Sequence, residues 1–274
     1  MSPAASHPTA WRSSLAIARV TFIEILRDKI LYNVLLCGIF LVFLGFIASR
    51  LSSIRPERVL LDFGHFAIST SCAMIAVFLG AGMIGREFER RTVHMALARP
   101  IARAHFVLGK FLGIVGVISL NWALFFLAYL GILFWLGPDL HDAGTYVHQT
   151  MITLFCAVIL CLLQSFVLAA TAILFSTFST TSLSVMFTVG VYLVGVNISH
   201  LHAAIAKLGT GIPIRLLDGA VTLLPNLEHF DLGTQLTYSL PVGSGTMFLA
   251  IAYALVVCGV LLCISGFLIQ AKEI

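Results

Sequence analysis

Ile114–Leu136 reads IVGVISLNWALFFLAYLGILFWL, and no charged side chain interrupts it. A helix crossing a bilayer needs about 20 predominantly apolar residues, so this stretch is long enough to span on its own. Strands of a membrane barrel alternate apolar and polar residues over about 10 positions, and this stretch is apolar on every face. It predicts a lipid-facing helix and excludes a barrel. Working outward, the run free of Asp, Glu, Lys and Arg extends over 111–138, and similar runs cover 30–49, 63–85, 143–206 and 232–271. The 274-residue chain is 59% hydrophobic and only 10% charged, against roughly a quarter charged in soluble domains. Divided at about 20 residues per crossing, the runs predict an all-α, polytopic membrane protein with six spans near 30–49, 63–85, 111–136, 150–175, 181–198 and 247–269.

The basic residues orient those spans. With the N-terminus inside, the inner segments carry Arg12, Arg19, Arg27, Lys29, Arg86, Arg90, Arg91, Arg99, Arg103, Lys110 and Lys272, leaving only Arg50, Arg55, Arg58, Lys207 and Arg215 of the 16 outside. The positive-inside rule puts both termini in the cytoplasm. The net charge of +4 then fits loops beside anionic lipid and gives no nucleic-acid signal. No small-residue cleavage site follows the first apolar run, so that run reads as a retained anchor.

Residues 1–10 read as a disordered tail. In 11–29, Trp11, Leu15, Ala18, Phe22 and Leu26 recur at spacings of three and four, while Arg12, Arg19, Glu24 and Asp28 take other faces. This predicts an amphipathic helix lying flat in the headgroup layer, with Trp11 and Phe22 as anchors. The alternative is a charged extension of the first span.

The segment 86–110, GREFERRTVHMALARPIARAHFVLGK counted from Gly85, is too short for a domain. Its first part suits a continuation of the second span, with Glu87 and Arg91 at i, i+4. Val93, Met95, Ala96 and Leu97 then offer a short apolar surface ringed by Arg90, Arg91, Arg99 and Arg103, and Pro100 starts a returning helix. An apolar turn exposed to water is costly, and a docked partner protein would remove that cost. The competing reading is that these arginines serve topology alone.

Within the spans the polar residues are Asn33, His65, Asn121, Gln164 and Asn197, suited to hydrogen bonds between helices or to lining a path. None is an acid, a lysine or an arginine, which argues against coupling to an ion gradient. All six cysteines lie within predicted spans and read as packing residues. Gly109 and Gly113 read as a close-packing pair first and as a dimer face second. On the outer side, His200, His202 and His229 lie near Glu228 and Asp231. Three histidines suit zinc, yet no HExxH helix accompanies them. Between Pro213 and Leu224, Arg215, Asp218 and Thr222 form a polar stripe on an otherwise apolar helix, predicting an interfacial or re-entrant element within the outer loop 199–246.

Two stretches carry a family likeness. Gly85–Gly113, with its acidic residues, Thr92, apolar turn, Arg99-Pro100, Arg103 and Leu108-Gly109-Lys110, resembles the first cytoplasmic loop of type 2 ABC-transporter permeases. Leu224–Asp231 is similar to an outer-loop segment in the subgroup that holds the permease of the copper-processing system for nitrous oxide reductase. Arg91 and Leu227 depart from that pattern, where glycine and an aromatic residue are usual. The resemblance implies a multi-pass permease of a bacterial inner membrane that works as a dimer of two permease copies in the lipid bilayer, and as an exporter. A separate cytoplasmic ABC ATPase would bind ATP and Mg, so this chain would bind no cofactor and catalyse nothing itself. Its Gly109-Lys110 pair indeed lacks a phosphate-cradling loop. Glu87, Arg91, Thr92, Met95, Leu97, Arg99, Pro100 and Arg103 would resemble the coupling helix and its flanks, and the N-terminal helix would resemble an elbow helix. Arg215, Asp218, Pro225, Asn226, Glu228, Phe230 and Asp231 would belong to re-entrant outer helices closing the exit. Copper or sulfur species, lipids, peptides, drugs and polysaccharide all remain compatible substrates. A membrane partner through which an ATPase does mechanical work would need the same loop.

Overall fold

The computed structural model describes residues 10–51, 56–89, 103–136, 144–207, 211–237 and 243–271, and among these there is no strand. The helices are α1 (Ala10–Leu26), α2 (Lys29–Leu51), α3 (Pro56–Glu89), α4 (Arg103–Leu136), α5 (Gly144–Phe178), α6 (Thr181–Val196), α7 (Ile198–Lys207), α8 (Ile212–Leu223), α9 (Gly233–Thr237) and α10 (Ser244–Ala271), with a 3-10 turn at Glu228–Phe230. Among the described residues five helices are long and apolar enough to cross a membrane: α2, α3, α4, α5 and α10. A sixth crossing is available only as the pair α6 and α7, which is bent by 75° at Asn197. The span expected over 181–198 corresponds to α6, and the bend falls at its far margin.

Length explains how the continuous helices sit. The 34 residues of α4 rise about 51 Å, against about 30 Å of hydrocarbon. The surplus lies where its polar residues are, at Arg103, His105 and Lys110. That end of the bundle, where α3 also finishes in Arg86–Glu89, is called the basic end below, and the opposite end the far end.

Between α1 and α2, Asp28 caps the second helix. Its Oδ1 accepts the Ile30 N–H at 3.0 Å, satisfying a donor that the first helical turn leaves open. Of the spanning helices α3 is the most buried, while α2 and α10 are the least and present Phe40, Phe43, Phe248 and Leu255 outward, as lipid-facing helices do. The core beneath them packs Ile68, Ile75 and Leu79 of α3 against Ile114 and Ile118 of α4 and Leu160 and Leu168 of α5.

Within lipid an unsatisfied polar group costs several kcal/mol, and several polar side chains of the spans are accordingly engaged, whereas His65 Nε2 and Ser265 Oγ are buried with no hydrogen-bond partner. Asn121 of α4 donates through Nδ2 to Ser71 Oγ of α3 at 3.1 Å and approaches Cys72 Sγ at 3.5 Å. Trp122 Nε1 donates to the Val158 carbonyl of α5 at 2.7 Å. These bonds tie α3, α4 and α5 together. The hydroxyls of Ser165, Thr171 and Ser176 on α5, and of Ser184 and Thr188 on α6, donate to carbonyls three or four residues back on the same helix or its cap. Cys72, Cys161 and Cys258 are buried free thiols.

Candidate functional site

At the basic end, α3 and α4 form the two sides of a stem around 90–102. Arg91, Thr92, Met95, Leu97, Arg99 and Pro100 lie outside the described residues. Glu87 is in the last turn of α3 and Arg103 is the first residue of α4. Two elements brace the stem. The first turn of α6 sits on α3 at Gly85, where a Cβ would meet the Thr181 Cα at 3.3 Å, so no larger residue fits without displacing α6.

The second brace is α1. A Cβ at Gly109 would meet the Ile17 Cβ at 2.7 Å and the Ser14 carbonyl oxygen at 2.9 Å; one at Gly113 would meet the Thr21 Cβ at 2.7 Å and the Ala18 carbonyl oxygen at 2.9 Å; one at Gly116 would meet the Phe22 ring at 3.1 Å. The order of these contacts means that α1 runs alongside α4 in the same direction. Glycine on one helix and small or β-branched residues on the other let the backbones approach, the usual solution where apolar burial gives no selectivity. Ser14 Oγ donates to the His105 carbonyl at 3.3 Å, and the nearly buried Lys110 Nζ lies 3.7 Å from Glu24 Oε2.

Of the expected apolar stripe on α1, Ala18, Phe22 and Leu26 are half-buried in the bundle. Ser14, Thr21 and Ile25 are fully buried, whereas Leu15 of the expected apolar stripe is exposed. Phe22, expected as a membrane anchor, is half-buried against Gly116. The side chain of Trp11 lies outside the described residues. Gly109 and Gly113 act in packing within the chain, as their first reading had it.

At the far end a latch forms around the break between α6 and α7. Asn197 ends α6 by donating its own N–H to the Val194 carbonyl at 3.0 Å and its Nδ2 to the Leu193 carbonyl at 2.9 Å. The Leu227 N–H donates to the Gly195 carbonyl at 3.0 Å. This approach requires glycine, since a Cβ at 195 would lie 2.9 Å from both the Pro225 carbonyl oxygen and Leu227 Cγ. Glu228 Oε2 accepts the Ser199 N–H at 3.0 Å and its hydroxyl at 2.6 Å, placing a carboxylate at the N-terminus of α7, where the helix dipole favours negative charge. The Ser199 hydroxyl, then the Ser199 N–H, hold the Glu228 carboxyl below the usual carboxylate range, and nearby His200 and His229 add to this. Asn226 Oδ1 accepts the Glu228 N–H at 3.0 Å, the self-bonding turn typical of Asn. The Asn226 N–H donates to Tyr253 OH of α10 at 2.7 Å. Tyr253 also stacks on His229 and lies against the fully buried Phe230. Asp231 Oδ1 accepts the Gly233 N–H at 2.8 Å and so starts α9.

Of the expected outer-gate residues, the latch gathers Pro225, Asn226, Glu228, Phe230 and Asp231. Arg215 and Asp218 stand apart on α8. Asp218 is half-buried and its Oδ1 lies 2.7 Å from His202 Nδ1 of α7, joining those two helices. Sequence reasoning missed Gly195, Ser199 and Tyr253. A glycine two residues before an Asn in an apolar run was the available signal for the first, and the other two carried none. Two of the three outer histidines are spent separately, His202 on Asp218 and His229 on Tyr253, and among the described residues no group of three His, Cys, Asp or Glu side chains suits a metal.

A family model described as "ABC-2 family transporter protein" matches residues 15–270, nearly the whole chain and both ends just described. No curated protein matches the chain significantly.

Proposed function

The chain belongs to the ABC-2 family of transporter proteins, and from that premise we propose that it is the permease subunit of an ATP-driven exporter, coupled to a separate cytoplasmic ATPase and working as a homodimer. The basic end then faces the cytoplasm of a bacterium, with both termini inside. The observation that carries this reading is the braced stem. α3 and α4 run past their charge-free stretches to flank 90–102, α6 rests on Gly85 and α1 is locked along Gly109 and Gly113. A push on 90–102 thus reaches α4 together with α1, and α3 together with α6, whose other end carries the latch. The ATPase would hold ATP and Mg, and this chain would do no chemistry on its cargo.

Within the family, Leu224–Asp231 favours the copper-processing subgroup of nitrous oxide reductase, which puts a copper or sulfur species first among cargoes. Arg91 and the fully buried Leu227 are its departures. The test is co-purification followed by transport in vesicles: Leu97→Asp or Arg99→Asp is expected to abolish transport and its coupling to ATP hydrolysis while the chain still inserts. Hydrolysis that stays coupled with no cargo moved would instead favour mechanical work on another protein.

A further inference from the structure

α6 has 16 residues and rises about 24 Å, roughly 6 Å less than the hydrocarbon thickness. It starts level with Gly85, where the charge-free part of α3 ends, so the shortfall falls at the far end. The 75° bend at Asn197 therefore comes while the chain is still at the edge of the far leaflet, and it turns α7 toward the membrane plane. The break suits that depth. Its freed backbone groups are satisfied inside the protein by Asn197, Glu228 and Leu227, the condition for irregular backbone near lipid.

α8 folds back on α7 through a small core of its own, Ile198, Ile205 and Val221, separate from the main one. Its opposite side is bare: Leu216 is 70% and Leu223 88% exposed, with exposed Ala220 between them at helical spacing. Arg215 is exposed at the edge of this stripe, and Lys207 is exposed at the end of α7. Asp218, half-exposed, is paired with His202 of α7 at 2.7 Å, so Arg215 is the charged group at the edge of the bare side. We propose that the α7–α8 hairpin docks an anionic phospholipid of the far leaflet, with an acyl chain along Leu216, Ala220 and Leu223 and the headgroup phosphate on Arg215. The short α6 sets the depth, the leucines supply the chain contact, and the cations match the headgroup.

The full chain reconstituted in phosphatidylcholine vesicles carrying brominated acyl chains tests this. L223W and, separately, L216W are read against the wild-type background, with F267W on exposed α10 as the lipid-facing reference. Bromine quenching of the new emission close to that of F267W, with little quenching by aqueous iodide, is the expected result. Iodide quenching without bromine quenching would place the stripe in water, and insensitivity to both would place it under protein, a second copy included; either overturns the proposal. Phosphatidylglycerol competing with the brominated lipid at L223W is expected to bind about fivefold more tightly than phosphatidylcholine, the scale of one basic residue at an anionic surface. R215Q should remove that preference and leave the bromine quenching intact. An unchanged preference would refute the headgroup contact.

Discussion

The basic-end seam and the far-end latch both rest on glycines, yet they hold their helices by different means. Along the seam, Gly109, Gly113 and Gly116 spread close contacts over more than two turns of α1, and the contact surface is mostly carbon. At the latch a single glycine, Gly195, admits one turn of chain, and directional bonds from Leu227, Ser199 and Asn226 do the rest. Distributed packing fails as a whole or not at all, because interiors are dense and repack poorly. A few hydrogen bonds at an edge can be exchanged one by one with water or lipid headgroups. The seam is suited to carry force, and the latch to open.

Breaking the seam should cost most. Gly113→Leu drives a side chain into Thr21 and the Ala18 backbone, and a loss of about 3 kcal/mol is expected, the upper range for overpacking. A lowered unfolding midpoint in detergent, together with protease cleavage near α1, would show it. Gly195→Val meets one rigid backbone oxygen and one movable leucine, so a smaller loss of about 2 kcal/mol is expected, with α1 still protected. Equal effects at the two glycines would erase the contrast.

Tyr253→Phe leaves the Asn226 N–H without its acceptor and should cost about 1 kcal/mol. Glu228→Gln should cost least, about 0.5 kcal/mol, because the carboxylate is largely open to solvent. Its signature is pH dependence. The folded carboxyl titrates below its unfolded value, so its contribution is present above the ordinary carboxylate range and is lost as pH falls through the lower, folded value. Latch opening, followed by a fluorophore on the 225–230 turn, should therefore rise on acidification in the wild type and flatten in Glu228→Gln. An identical acid response in the variant would assign the effect elsewhere.

Much of the fold was legible because charge is so costly in hydrocarbon that its absence marks where spans lie, as in Ile114–Leu136. The break at Asn197 was not. VYLVGVNISHLHAAIAK holds no proline, and the groups that stabilise the bend come from Leu227 and Glu228, about 30 residues further on. The packed side of α1 was legible in part for a related reason. Hydrophobicity singled out Ala18 and Phe22, whereas the seam also takes in Ser14 and Thr21 for size, and that preference becomes visible only beside Gly109 and Gly113. Asn226, Glu228 and Phe230 were found in the sequence through a likeness, while Tyr253, the partner that fixes them, stands alone in an apolar helix.

The central claim is that an outside ATPase drives this bundle through the segment between Glu89 and Arg103. Its most direct test is to purify the tagged chain with whatever binds it and to measure ATP hydrolysis and vesicle transport with and without Leu97→Asp. The account predicts a stoichiometric nucleotide-binding partner whose hydrolysis is coupled to transport in the wild type and uncoupled in the variant. A chain that purifies alone, or a variant that couples as the wild type does, would contradict it.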